Sequence, residues 1–159
     1  MKVQQKIFIL IPGQADRFEL KRVLGRAGYE VVVGKPDEPV SEQITLVNPD
    51  VSIIDQALVE DEGEQLQKYF PDKPIIAWTT KRDARAAVTL IAGGAFDCIN
   101  PPVRPAEVLG VIEHALKKAL KRREVPPFVE RHLQTMLVSL AIVVAAVAVA
   151  VAVHFLMLH

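Results

Sequence analysis

The chain has 159 residues with 19 basic and 19 acidic side chains, so its formal net charge at pH 7 is zero. This balance argues against a dedicated nucleic-acid-binding protein, because such proteins carry an excess of positive charge. Residues 135–158 contain no Asp, Glu, Lys or Arg, whereas the rest of the chain is charged like an ordinary soluble domain. The composition therefore predicts a globular domain of about 120 residues, large enough for its own core, and a separate apolar segment.

Cys98 is the only cysteine, so an intramolecular disulfide is excluded. The first apolar run, residues 7–11, is too short for a secretory signal and leads into Pro-Gly. Both features favour a reducing compartment for the globular domain.

Apolar runs and amphipathic stretches alternate along the globular part. Residues 7–11 predict a buried strand that Pro12 and Gly13 end, and a helix is expected over residues 16–27 with Asp16 as its N-cap. Further strands are expected at residues 29–33, 51–55, 74–78 and 95–99. Further helices are expected near residues 41–47, before Pro71, after the N-cap Asp83 and from about Pro105. Five strands alternating with five helices predict an α/β doubly wound parallel sheet with right-handed crossovers.

The apolar segment from Leu137 to Leu158 is interrupted only by Ser139 and His154, and as a helix it is long enough for a bilayer core of about 30 Å. The alternatives are a buried core helix or an aggregation-prone Val/Ala strand. Six basic residues precede the segment and only His159 follows it, so the positive-inside rule predicts a single-pass, tail-anchored protein whose globular domain is cytoplasmic. These basic residues could also bind anionic lipid headgroups; they are Lys117, Lys118, Lys121, Arg122, Arg123 and Arg131.

Small side chains recur along one face of this expected membrane helix. They are spaced by alternating intervals of four and three residues, at Ala141, Ala145, Ala148 and Ala152. Small residues let membrane helices approach closely, so this face is a candidate surface for homo-oligomerisation.

Asp55 is the candidate reactive carboxylate. It ends the apolar run 51–55, and ligands of open parallel sheets bind at the carboxyl ends of the strands. No zinc-ligand spacing occurs among the histidines, and no phosphate-binding glycine loop is present, so no cofactor and no metal site is predicted. Cys98 is expected to be a small buried apolar residue rather than a nucleophile.

Residues 6–120 resemble the receiver domain of two-component response regulators. Residues 48–55 (NPDVSIID) are similar to its third strand with the phosphoacceptor aspartate, and Gly63, expected at the end of an acidic loop over residues 60–63, falls at its loop glycine. Residues 74–79 (PIIAWT) resemble its fourth strand with a hydroxyl residue, Thr79, that contacts the phosphoryl group in active members. Residues 94–102 (GAFDCINPP) are similar to its fifth strand and the following loop. The resemblance implies a flavodoxin-like sheet of strand order 2-1-3-4-5.

The sequence departs from the family pattern at three places. Pro12 and Gly13 stand where the family has an acidic pair that holds Mg²⁺. Pro101 stands where the family has a lysine, with Pro102 as the expected cis-proline, and Cys98 occupies the aromatic switch position of the fifth strand.

These departures predict a degenerate, pseudo-receiver domain. Phosphoryl transfer to a carboxylate brings negative charges together, and a metal ion normally neutralises them. Without an acidic pair and a lysine, Asp55 and Thr79 are predicted to mark the fold rather than to act as a phosphorylation switch. Asp16 is a conceivable substitute metal ligand, although its position favours a helix cap.

The expected organisation is a receiver-like domain at residues 1–122, a basic, proline-containing linker at 123–131 and a transmembrane helix at 132–159. The expected function is phosphorylation-independent protein interaction or assembly on the cytoplasmic face of a membrane, without enzymatic activity. By resemblance, its protein partners would bind the surface of the fourth helix, fifth strand and fifth helix. The alternatives are a phosphoacceptor that uses Asp55, a structural subunit of a larger membrane complex that oligomerises through its transmembrane helix and, more weakly, a small-molecule sensor.

Overall fold

The computed structural model describes residues 4–124, with side chains described as far as residue 121. Five strands alternate with five helices. The strands are β1 (Lys6–Leu10), β2 (Glu30–Val33), β3 (Val51–Asp55), β4 (Ile75–Trp78) and β5 (Asp97–Ile99). The helices are α1 (Gln14–Arg26), α2 (Val40–Val47), α3 (Gln56–Tyr69), α4 (Ala84–Ala92) and α5 (Pro105–Glu124).

All neighbouring strands are parallel and form one sheet in the order β2-β1-β3-β4-β5, which confirms the predicted flavodoxin-like topology. In the centre of the sheet, Ile9 of β1 pairs with Ile53 of β3, and Ile53 pairs with Ile76 of β4. Because the strands run in one direction, their carboxyl ends meet at a single edge, which is where ligands bind in sheets of this kind.

Helices cover both faces of the sheet, because successive strand side chains point to opposite sides. One core lies between the sheet and helices α1 and α5, and it includes Ile7, Ile9, Leu20, Leu24, Ile53, Ile76, Val108 and Ile112. The second core lies between the sheet and helices α2, α3 and α4, and it includes Phe8, Leu10, Ile44, Ile54, Val59, Leu66 and Leu90. The continuous apolar runs of β1, β3 and β4 therefore reflect burial on both sides, whereas the edge strand β2 is partly exposed.

Two local predictions were wrong. Residues 60–63 are not an acidic loop but part of α3, which begins directly after Asp55. Glu is a good helix former, and Gly63 is required for close packing rather than for a turn, since an added Cβ would lie 2.3 Å from the carbonyl oxygen of Gly93. Asp16 does not cap α1, because that helix begins two residues earlier with Gly13 at its N-cap.

The predicted cap of α4 is confirmed, since the Asp83 carboxylate accepts a hydrogen bond of 2.7 Å from the Ala86 amide. Among the helices within residues 4–124, none is long and apolar enough to cross a membrane. The predicted membrane helix, residues 132–159, lies outside the described residues.

Candidate functional site at the carboxyl edge of the sheet

The carboxyl edge of the sheet brings together most of the residues that the sequence singled out. Asp55 ends β3 and pairs with Trp78, so Thr79 follows at the adjacent strand end. Pro12 lies just beyond β1, and Pro101 lies just beyond β5. Cys98 lies further inside, within β5, where it pairs with Ala77 and packs against the second core.

Asp55 is half-buried, and its carboxylate caps α3. The Oδ1 atom accepts a hydrogen bond of 3.0 Å from the backbone amide of Ala57. Aspartate is a favoured N-cap, because its carboxylate satisfies an amide that has no partner within the helix. At least one carboxylate oxygen of Asp55 therefore has a structural role in joining β3 to α3.

Thr79 is buried, with 1% of its surface exposed. Its hydroxyl donates a hydrogen bond to the side-chain oxygen of Gln56 and accepts one of 3.1 Å from the Lys81 amide. Gln56 directly follows Asp55, so this bond links the start of α3 to the end of β4. The sequence analysis did not identify Gln56, because no spacing rule indicates a side-chain bond between residues 23 positions apart.

The loop between β4 and α4 is held from the side of β5 as well. The Asn100 amide nitrogen donates hydrogen bonds of 2.6 Å and 2.8 Å to the carbonyl oxygens of Thr79 and Lys81. The Arg82 guanidinium donates one of 2.6 Å to the carbonyl oxygen of Pro101. The loop is thus hydrogen-bonded both to the start of α3 and to the residues that follow β5.

The loop between β1 and α1 lacks the carboxylates of a metal-binding loop. Pro12 is exposed and contributes no ligand side chain, and Gly13 is the N-cap of α1. The Asp16 carboxylate folds back towards Gly13, where a Cβ would lie 2.9 Å from Oδ2. A carboxylate in the first turn interacts favourably with the helix dipole. Within the described part of the chain, no three His, Cys, Asp or Glu side chains are grouped as a metal site requires.

The loop between β5 and α5 contains a cis peptide bond between Pro101 and Pro102, as expected from the sequence. Pro101 supplies a carbonyl oxygen to Arg82 and has no ammonium group that could neutralise an anion at Asp55. Burial raises the pKa of the Cys98 thiol, and the neighbouring Asp97 carboxylate raises this pKa further. Cys98 therefore remains protonated at neutral pH, which disfavours a nucleophilic role.

In sequence the chain is similar to part of the transcriptional regulator NtrC. No protein-family model matches the chain. It is 26% identical over 114 residues to the DNA-binding transcriptional regulator NtrC of Escherichia coli K12, covering 69% of this chain and 24% of that protein. It is 28% identical over 104 residues to NtrC of Klebsiella pneumoniae, covering 63% and 22%. The chain thus spans about a quarter of the length of the curated relatives that it matches.

Solved structures give the same fold. A CheY-like response regulator receiver domain protein from Methanospirillum hungatei has a TM-score of 0.64 and 22% identity, covering 76% of this chain and 99% of that one. The beryllofluoride-activated receiver domain dimer of NtrC4 has a TM-score of 0.65 and 19% identity, covering 72% and 98%. An atypical orphan response regulator, described as revealing a phosphorylation-independent regulatory mechanism, has a TM-score of 0.64 and 15% identity, covering 71% and 96%.

Proposed function

We propose that this chain, whose described residues form a domain of the CheY-like receiver type, is a phosphorylation-independent interaction module held at a membrane. The observation that carries the proposal is the chemistry of the carboxyl edge. Asp55 caps a helix there, and the hydroxyl of Thr79 donates its hydrogen bond to Gln56. The apolar segment at residues 132–159 would anchor the domain, and the basic residues before it favour the cytoplasmic face.

The missing charges argue against Asp55 as a phosphoacceptor. A phosphoryl group that approaches a carboxylate needs positive charge for its oxygens, and hard cations such as Mg²⁺ need oxygen ligands. The first loop offers Pro12 and Gly13 in place of two carboxylates, and Pro101 offers no ammonium. The orphan regulator described as phosphorylation-independent has the same fold, which makes such a role compatible with this architecture.

The partner surface would include α4. Only Leu90 of this nine-residue helix is buried, whereas Val88 and Ile91 are 66% and 51% exposed. In the next helix, α5, Leu120 is 50% exposed. Apolar side chains left uncovered on one helix are the kind of surface that protein partners bury. The α4 surface, defined here by Val88 and Ile91, is therefore the proposed docking contact.

Amide NMR or hydrogen exchange with Mg²⁺ and beryllofluoride tests the phosphorylation-independent part. We expect the amides of the β4–α4 loop and of α4 to be unchanged in the native chain and in Asp55→Asn. Shifts that occur in the native chain and disappear in Asp55→Asn would establish Asp55 as a working phosphoacceptor and overturn the proposal.

A second candidate function is a structural subunit that oligomerises through its membrane helix. The small-residue face at Ala141, Ala145, Ala148 and Ala152 favours it, because bulky side chains would keep two helices apart. The mass of the chain in detergent micelles tests it: the native chain should be oligomeric and Ala145→Ile should shift it towards monomer. A native chain that is monomeric in both detergent and lipid would contradict this candidate.

A further inference from the structure

We propose that Gln56 is a positioning residue which, through the Thr79 hydroxyl, holds the loop between β4 and α4 in one conformation. The inference rests on the proposed function and gives it a structural basis: Gln56, through Thr79, holds the loop from which α4 begins. Three features carry this role: the hydrogen bonds of the loop, the single proton of the Thr79 hydroxyl and the small buried surface of α4.

The network begins at a buried side chain. Thr79 is only 1% exposed, and its hydroxyl bonds both the Gln56 side chain and the Lys81 amide. Hydrogen bonds away from solvent are costly to break, because the separated groups do not regain water. The Thr79 end of the bond to Gln56 is therefore shielded from water, while the Gln56 side chain is partly buried.

A threonine hydroxyl has a single proton. In this structure that proton is directed to the Gln56 oxygen, while a hydroxyl lone pair accepts the Lys81 N–H. Any group on Asp55 that required a hydrogen bond from Thr79 would have to displace Gln56 first. While Thr79 is bonded to Gln56, a chemical change at the adjacent Asp55 carboxylate does not alter the hydrogen bonds of the loop.

The backbone of the loop is fixed from the other side. Asn100 donates to the carbonyl oxygens of Thr79 and Lys81, and Arg82 donates to the carbonyl oxygen of Pro101. Lys81 also forms an exposed ion pair of 3.3 Å with Glu60 of α3. The partly buried Gln56–Thr79 bond is a second side-chain link between this loop and α3.

The conformation of the loop determines how α4 is presented. This helix starts at its cap, Asp83, only four residues after Thr79, and Leu90 is its one buried residue. At its other end, the backbone of Gly94 lies against that of Gly63, where a Cβ added to Gly94 would be 2.6 Å from the Gly63 carbonyl oxygen. With so little buried surface of its own, α4 depends on these two attachments for its orientation.

Hydrogen–deuterium exchange on the 159-residue chain tests the inference. Gln56→Met keeps the length of the side chain but removes the acceptor, and Gln56→Glu keeps an acceptor oxygen at the same reach. We expect Gln56→Met to accelerate exchange of the Lys81 and Ala86 amides by roughly two- to tenfold, the range that corresponds to loss of one hydrogen bond. Gln56→Glu should retain native exchange at both amides.

Two further measurements separate a local effect from unfolding. Amides of Ile9 and Ile53, in the central strands, should exchange at the native rate in every variant that keeps the fold. Thr79→Ser preserves the hydroxyl and should behave like the native chain. Thr79→Val removes both the donor to Gln56 and the acceptor of the Lys81 amide, so it should accelerate exchange at Lys81 at least as much as Gln56→Met. Native exchange at Lys81 in Gln56→Met would overturn the inference, as would equal acceleration in Gln56→Glu and Gln56→Met.

The failure of the positioning role and the failure of the proposed function can be distinguished. If beryllofluoride with Mg²⁺ changed α4 in the native chain while Gln56→Met still loosened the loop, the phosphorylation-independent role would fail and the positioning role would stand. If beryllofluoride had no effect and Gln56→Met left the loop unchanged, the positioning role alone would fail.

Discussion

Two buried hydroxyl groups, one on β3 and one directly after β4, illustrate how differently the same chemical group can contribute to stability. Ser52 of β3 and Thr79 after β4 are each 1% exposed. Within the described residues, the Ser52 Oγ has no hydrogen-bond partner, whereas the Thr79 Oγ1 bonds Gln56 and Lys81. A buried hydroxyl without a partner costs desolvation energy that no bond offsets.

We expect Ser52→Ala to raise the free energy of unfolding by about 1 kcal/mol, because it removes an unsatisfied polar atom from an apolar core. Thr79→Val is the matched control, since it removes a bonded hydroxyl at equal burial and should lower stability by about 1–3 kcal/mol. Chemical denaturation followed by fluorescence of Trp78, the only tryptophan, measures both changes. A loss of stability in Ser52→Ala would mean that the hydroxyl finds a partner in solution.

The Cys98 thiol should react slowly with iodoacetamide at about pH 8.5, because burial and Asp97 raise its pKa and only the thiolate reacts. Unfolding in urea should restore the rate of a free cysteine. Asp97→Asn retains an oxygen that can accept from the Cys98 amide but removes the charge, so the rate should rise by a smaller factor than unfolding gives. A native rate equal to the unfolded rate would contradict the partly buried position of Cys98.

The same raised pKa has a defined effect on stability. In the pH range between the unfolded and folded pKa values of the thiol, the native state binds more protons than the unfolded state. The thiol's contribution to stability is therefore complete below its ordinary pKa and declines as the pH rises above it.

At the scale of elements, the contact between α3 and α4 depends on two glycines, Gly63 and Gly94. A Cβ on Gly63 would lie 2.3 Å from the Gly93 carbonyl oxygen, and Gly94 has a positive φ of 106° next to Gly63. The two backbones can approach this closely only where no side chain intervenes.

We expect Gly63→Ala to destabilise the domain by about 1–3 kcal/mol, because the added methyl group collides with backbone rather than with a movable side chain. Gly110→Ala is the matched control in α5, where an added Cβ has no neighbour within 4 Å. That change should stabilise the protein by up to about 1 kcal/mol through helix propensity. Thermal or chemical denaturation measures both, and equal effects would show that α4 can shift to make room.

The acidic helix α3 also shows where sequence patterns mislead. A run of Glu-Asp-Glu-Gly is typical of a loop, yet here it continues a helix that Asp55 caps. The glycine is explained by its contact with α4, about 30 residues later in the chain, and short-range propensity has no information about such contacts. Asp83 was predicted as a cap because its signal is local: a capping residue followed directly by a helical apolar pattern.

At the scale of the whole molecule, the sheet was predictable because its signal is repeated. Five apolar runs separated by amphipathic stretches admit few topologies once crossovers are right-handed. The position of Asp55, Thr79 and Pro101 at one edge followed from the strand ends alone. The bond from Gln56 to Thr79 could not be predicted, because it depends on the register of β3 against β4 and on side-chain geometry.

The membrane association of the chain is the remaining whole-molecule prediction. Residues 137–158 are apolar throughout apart from Ser139 and His154, and burying them in lipid requires no charge to be desolvated. We expect the native chain to remain in the membrane fraction after a high-salt or alkaline wash, which removes proteins bound only through the basic residues.

Ala148→Arg tests this anchoring near the middle of the apolar run. An arginine near the centre of a membrane helix costs about 2.5–3.5 kcal/mol of insertion free energy, so the variant should lose a large part of its membrane association. Ala148→Leu is the control, because it preserves hydrophobicity while filling the small-residue face. The leucine variant should stay in the membrane even if it no longer self-associates, which separates anchoring from assembly. Release of the native chain by salt alone would instead indicate attachment through the basic residues before the segment.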